Sequence, residues 1–215
     1  DPLPDAAFAL HVTPNVPSGL IAGRVGPLLA AADRFVVTVK GKGGHASMPH
    51  NAVDPIPVAC EIVMALHAMV TRRIEAFDPV VLTVGRIASG TTNNIIPETA
   101  EIEGTIRSFS EGSRALAHEG LQRVATNIAA AHKAEANVEI IPGFPVTICH
   151  GDAVALAKKT AQALFGDHGW LPMPAPIMGA EDFAYVLQKV PGAMCFLGAT
   201  PEGGDFRSCC ALHSN

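Results

Sequence analysis

The sequence predicts an α/β (α+β) fold organised around a ferredoxin-like βαββαβ unit. Three observations carry this reading. Residues 35–39 (Phe-Val-Val-Thr-Val) are β-branched and end at Gly41, Gly43 and Gly44, which is the pattern of a strand closed by a turn. Residues 100–109 alternate apolar and polar side chains at period two, as a half-buried strand does. Each of these is followed by a segment whose apolar residues recur at helical spacing, and two further strand-like runs complete the order.

The elements follow one another without long gaps. Asp54 stands at the start of the first helical stripe, with Pro55 and Pro57 suited to its first turn. Ala59, Ile62, Val63, Leu66, Met69 and Val70 share one face of it. Asp78-Pro79 ends that segment, and residues 80–87 form the next strand. After the alternating strand, Ser110 is placed to cap a helix whose Leu121, Val124, Ile128 and Ala131 lie on one side. Residues 137–141 supply the fourth strand. Flanking this central block, 34–147, are a Pro-rich block, 1–33, and a last block, 148–215. In the last block Asp152 is expected to cap a helix ending at Gly166, and residues 170–176 read as a Pro-rich loop. Residues 182–190 read as a short helix and residues 193–198 as a buried strand.

Composition excludes several classes. Charged residues make up 16% and hydrophobic residues 48% of the 215, against ~25% charged in ordinary soluble domains, so the chain is not a disordered one. The 20 Gly and 17 Pro interrupt any long heptad pattern. The 15 basic and 20 acidic residues give a net charge of −5, and no basic run offers a nucleic-acid surface. The longest mostly apolar stretch, 56–70, contains Glu61 and His67 and falls short of the ~20 uncharged residues of a membrane span. Residues 1–5 have neither the basic nor the apolar region of a signal peptide and read as loop. The five cysteines (Cys60, Cys149, Cys195, Cys209, Cys210) are an odd set without framework spacing. They point to reduced thiols in a cytoplasmic protein.

Candidate chemical groups are ambiguous one at a time. His11 and His213 each follow an Ala-Leu pair outside the central block, as strand-end metal ligands would, but two unrelated histidines fit the spacing equally well. Gly43-Gly44-His45-Ala46 and Pro49-His50 present imidazoles on a loop where a donor to an oxyanion would serve; solvated histidines would look the same. The run 91–97 holds Asn94 in what is otherwise a turn composition. Arg107, ending the alternating strand, suits a carboxylate or a plain surface position. Glu181 and Asp182 begin a helix, where the macrodipole favours acids in any case.

Taken in order, these segments resemble a known family. The motifs are Ala9-Leu10-His11 with Pro17-Ser18-Gly19, Gly26-Pro27 through Ala31-Ala32-Asp33, Gly43-Gly44-His45-Ala46 with Asp54-Pro55, Asn94-Ile95-Ile96-Pro97, Gly104-Thr105-Ile106-Arg107, Glu181-Asp182-Phe183 and Leu212-His213. They are similar to the dinuclear-metal aminoacylase and carboxypeptidase-type amidohydrolases, in the branch with hippurate hydrolase and the auxin-conjugate amidohydrolases. The resemblance implies a zinc-peptidase-like catalytic α/β domain, here residues 1–33 and 148–215, interrupted by a ferredoxin-like lid and dimerisation domain, residues 34–147. It implies two divalent metal ions (Zn, Mn, Ni or Co) with His11 and His213 among their ligands. His45 would polarise the scissile carbonyl, in related enzymes often across the dimer. Asn94 and Arg107 would hold the acyl or carboxylate end of a small amide substrate, with a homodimer formed through the lid.

One departure bears on what this sequence does by itself. The family's Cys-x-His ligand pair and adjacent glutamates, one of them the general base, do not occur in these 215 residues. The expectation is therefore metal-dependent amide hydrolysis by a larger protein, with this chain inactive alone. The rival is a dimerising ferredoxin-like module that binds a small ligand without catalysis.

Overall fold

The computed structural model describes residues 3–201 and Gly204. His213, Cys209 and Cys210 lie outside the described residues. The chain begins with β1 (Ala7–Pro17), β2 (Ile21–Gly23) and β3 (Gly26–Leu29), then passes into β4 (Ala31–Lys40), β5 (Gly44–His45), α1 (Pro55–Arg73) and β6 (Val80–Ser89). There follow β7 (Ile95–Ile96), β8 (Thr99–Ser108), α2 (Glu111–Ala131) and β9 (Glu135–Pro142). β10 (Thr147–Cys149), α3 (Gly151–Phe165), β11 (Trp170–Pro172), α4 (Phe183–Leu187) and β12 (Gly192–Thr200) complete it. Two units separate: residues 31–143, and the described residues of 1–30 with 144–215.

In the unit 31–143 the sheet order is β6-β8-β4-β9, all antiparallel, the ferredoxin-like arrangement. Alternation decides the faces. Phe35, Val37 and Val39 of β4 and Ala100, Ile102 and Ile106 of β8 turn to one side and are buried against Val58, Ile62 and Leu66 of α1 and Ala117, Leu121 and Ala125 of α2. The opposite face carries Arg34, Arg86, Glu101 and Glu103, joined in exposed ion pairs. Gly104 is required where it stands, because a Cβ there would collide with the Phe35 ring and the Thr83 carbonyl.

Both expected caps are present. Asp54 accepts a hydrogen bond from the Ile56 N–H at 3.0 Å, and Ser110 from the Ser113 N–H at 3.0 Å. By length and composition α1 is apolar enough to cross a membrane. Its apolar stripe is instead spent in the core, with Glu61 and His67 on other faces.

The second unit is a sheet in the order β1-β12-β2-β11, with β1 parallel to β12 and β11 parallel to β2. Three local expectations are corrected here. Asp152 does not cap α3; it lies inside the first turn, and His150 is the N-cap. The His150 ring cannot cap because its Nδ1 accepts from the Gly192 N–H at 3.1 Å, fastening β12 to the start of α3. Residues 170–172, read as loop, form β11 beside β2. A proline-containing strand is tolerated because it is the sheet edge, where one side of the backbone needs no partner. The helix expected over 182–190 is shorter, Phe183–Leu187.

Candidate functional site

The loop after β4 is shaped by close backbone approach. A Cβ on Gly41 would strike the Val53 carbonyl, and Lys42 and Val53 exchange two backbone hydrogen bonds at 2.8 and 2.9 Å. This brings β5 against β7, with His45 opposite Ile95. The Ala46 N–H donates to the Asn94 carbonyl at 3.1 Å, so His45 and Asn94 become neighbours.

The His45 ring is held in one tautomer. The Ser47 backbone N–H, which can only donate, points at His45 Nδ1 at 3.2 Å, and the Ser47 hydroxyl lies 2.7 Å from the same atom. Nδ1 therefore accepts, and in the neutral ring the proton sits on Nε2. His45 is an exposed N–H donor.

His11 is the opposite case. On β1 its Nδ1 donates to the Val12 carbonyl at 2.7 Å, leaving the Nε2 lone pair free, as metal-binding imidazoles are commonly arranged. Nε2 faces Glu181 Oε2 at 4.0 Å, and the ring packs edge-on to Phe196 with centroids 6.2 Å apart. Glu181 thus joins His11, a contact the sequence analysis did not find. Its signal was the Glu-Asp pair after Gly179, which helix-start electrostatics explained equally well.

Arg107 is not brought to His45 and Asn94. It lies at the far end of β8, paired with Ala32 and Val81. The strand end next to the His45 loop is eight residues away at Thr99, roughly 26 Å at strand rise. Arg107 is half-buried and makes no hydrogen bond or ion pair among the described residues.

Among the described residues no three His, Cys, Asp or Glu side chains converge on one point. His11 and Glu181 give two donors of the right kind, where a zinc site normally takes at least three from protein. No chemical step can be derived through a metal held by these residues alone. The buried thiols are no substitute: burial pushes Cys195 up to about 12 and also raises Cys149, which keeps both as un-ionised thiols.

Residues 31–139 match the M20 peptidase dimerisation domain. The chain belongs to the M20 peptidase family. Among M20-type relatives, it is 36% identical over 199 residues to thermostable carboxypeptidase 2 of Saccharolobus solfataricus, covering 92% of this chain and 50% of that protein. It is 38% identical over 194 residues to the N-acetylcysteine deacetylase of Bacillus subtilis, covering 90% and 50%. Among solved structures, a dinuclear metal binding peptidase of the M20 family from Bacillus subtilis superposes with a TM-score of 0.73 at 32% identity, covering 90% of this chain and 48% of that one. The chain spans about half the length of the relatives it matches.

Proposed function

We propose that this chain forms the lid and part of the catalytic domain of a metal-dependent amidohydrolase acting on N-acyl amino acids or small peptides. The observation that carries the reading is the complementary state of two imidazoles. His11 offers a lone pair, as a metal ligand must, and His45 offers an N–H, as an oxyanion donor must.

In this proposal the unit 31–143 is the lid, read from the sequence as 34–147, and the remainder, read as 1–33 and 148–215, belongs to the catalytic domain. His11 and His213 ligate two divalent ions (Zn, Mn, Ni or Co), with Glu181 beside His11. The remaining ligands and the general base come from polypeptide outside these 215 residues, which the twofold length of the relatives supports. Such ions supply a bound water of lowered pKa and a polarised carbonyl. Arg107 grips the substrate carboxylate through its planar fork in its own subunit's site, whereas Asn94, which lies with His45 at the other end of the lid, positions the acyl oxygen in the partner's. His45 donates its Nε2 proton in a hydrogen bond to the developing oxyanion, which stabilises the tetrahedral intermediate more than the planar amide. The free thiols Cys60, Cys149 and Cys195 suit a cytoplasmic, reducing setting.

The enzyme is proposed to be a homodimer through the lid. The two edges of the lid sheet differ: β9 carries Glu135 and Glu139, the charges that discourage strand pairing. At β6 and just before it, Val81 and Phe77 are 41% and 95% exposed. His45 also lies at the end of the lid away from Ala31 and Gly143, its two chain crossings, with the ten-residue β4 between. That placement supports delivery of His45 to the partner subunit's site.

The test is release of free amino acid from N-acyl amino acids by the complete, metal-loaded enzyme, and its loss on chelation. No release across acetyl, benzoyl and dipeptide substrates would overturn the reading.

A further inference from the structure

A cavity of about 450 Å³ lies at the β11 edge of the sheet, in the unit that carries His11. Arg24 and Lys158 line it, and no Asp or Glu side chain does. Strand register fixes its face. Trp170 pairs with Ile21 and Ile21 with Leu197, whereas Ala22 pairs with Phe196 and Phe196 with His11. Alternation therefore turns Trp170 to the face opposite His11, where α3 lies beside Ile21 and Cys195.

Neither cation is neutralised. Nε and Nη1 of Arg24 are buried without a hydrogen-bond partner, and neither Arg24 nor Lys158 makes an ion pair among the described residues. Burial raises the pKa of the nearby Cys149 thiol and the Arg24 charge pulls it back only in part, so the thiol stays neutral and cannot balance the guanidinium. Buried polar groups in native proteins are paired, and a charged donor without an acceptor is costly. Arg24 thus calls for an anion.

α3 adds to the same field. Gly151, its first residue, lines the cavity, and no side chain caps the helix, because the His150 ring is turned to Gly192. The first-turn N–H groups have no acceptor within the helix, and the positive end of its dipole lies there. Lys158 stands two turns on along the same helical face, whereas Asp152, the acid of the first turn, does not line the cavity. The remaining walls are apolar. The Trp170 ring is pressed on the Gly23 backbone, where a Cβ would meet its Cη2 at 2.6 Å, and Met173 extends that wall. The volume exceeds the ~150 Å³ that admits benzene, which leaves room for a carbon skeleton behind a carboxylate.

The place in the sheet favours a free ligand over a further stretch of protein. Phe8, Leu10 and Val12 of β1, at the opposite edge of the sheet, are exposed, and that is where more polypeptide would add. β11 is closed to another strand by Pro172. We infer that the cavity beside Arg24 binds a small free monocarboxylate with an apolar body, its carboxylate held by Arg24, Lys158 and the first turn of α3 and its carbon chain lying against Trp170. This site goes beyond the amidohydrolase reading and does not depend on it.

Trp170 is the single tryptophan of these 215 residues, so its fluorescence reports the cavity directly. The complete enzyme is titrated with hexanoate, with hexanamide as its uncharged counterpart, and with inorganic phosphate. A Trp170→Phe variant supplies the background from any other tryptophan. The expected result is a saturable change with hexanoate that Trp170→Phe lacks, with hexanamide at least about tenfold weaker and phosphate weaker than hexanoate. Arg24→Gln should weaken hexanoate binding by about tenfold or more, and Lys158→Gln by about threefold. Lys158 is exposed on α3, so its variant carries the test if Arg24→Gln does not fold. Absence of a saturable Trp170 signal, hexanamide or phosphate binding as tightly as hexanoate, or indifference to both substitutions would overturn the site. Absence of that signal together with a lowered melting temperature for Arg24→Gln would instead assign Arg24 to an acidic side chain of the polypeptide outside the 215 residues, and would equally overturn the free-ligand site.

Discussion

Arg114 clamps Asp33 with two hydrogen bonds, Nη2 to Oδ1 at 2.6 Å and Nε to Oδ2 at 2.8 Å, with the Asp33 side chain 1% exposed. The same carboxylate accepts from His118 Nε2 at 2.7 Å and from the Gly143 N–H at 3.0 Å. Asp33 therefore joins three parts of the lid unit: the start of β4, the helix α2, and the turn after β9 by which the chain leaves. Burial works to raise its pKa, but Arg114, the Gly143 N–H and His118 together outweigh it and hold the carboxyl below its usual range. Glu111 is the other acid on Arg114, at 3.1 Å.

Replacing Asp33 by Asn keeps the shape but leaves the Arg114 guanidinium, only 13% exposed, with the exposed Glu111 as its remaining counter-charge. Breaking one side of a buried pair costs about 3 kcal/mol, so the urea midpoint of Asp33→Asn should fall accordingly. The pH dependence has a definite sign. A carboxyl whose pKa is lower folded than unfolded stabilises fully above the unfolded value of ~3.9, and that contribution is lost as pH falls through the folded value. The variant should lack this acid-side loss; identical acid unfolding of both proteins would refute it.

His45→Ala in the complete enzyme removes the single donor proposed for the oxyanion. The expected loss is roughly 10²–10³ in kcat, with KM changed by less than about threefold, because the ground-state amide demands less of that hydrogen bond. A KM effect larger than the kcat effect would reassign His45 to substrate binding.

Mixing inactive His45→Ala and His11→Ala dimers tests where His45 acts. If it serves the partner's site, random exchange of subunits makes one intact site in each mixed dimer, and activity should return to about a quarter of the parent value. If His45 acts in its own subunit's site, each site of the mixed dimer carries one lesion and no activity returns; tagged subunits verify the exchange. No recovery after verified exchange would place His45 in its own subunit's site.

Val81→Glu with Phe77→Asp puts like charges on and just before β6 while leaving the buried core cluster of the lid untouched. Light scattering should report a monomer that retains its circular-dichroism spectrum; a persistent dimer would move the interface away from this edge.

His11→Ala should lower the metal bound per complete subunit, measured by elemental analysis, because it deletes a proposed ligand whose orientation is already set by Val12. Unchanged metal content would remove His11 from the ligand set.

The lid was largely legible in advance. Its strands and helices are local events: alternation at period two in 100–108, a helical stripe from Ala59 to Val70, and side-chain caps at Asp54 and Ser110 can each be read within a dozen residues. The second unit was less so. β11 contains Pro172 and forms only because β2 lies alongside, and His150 stands at the N-cap of α3 with its ring taken by Gly192 and not by the helix. Neither partner is near in sequence.

The order of residues settles the fold class of the lid, the family motifs and the set of chemically able side chains, because periodicity, turn residues and caps act over short stretches of chain. It leaves undecided which of those side chains meet and in what state. Only the folded chain sets His45 beside Asn94, parts both from Arg107, and turns His11 toward Glu181. Only there do the carbonyl of Val12 and the N–H of Ser47 give the two imidazoles opposite tautomers. Those are consequences of strand pairing and of single hydrogen bonds between groups that no local pattern brings together.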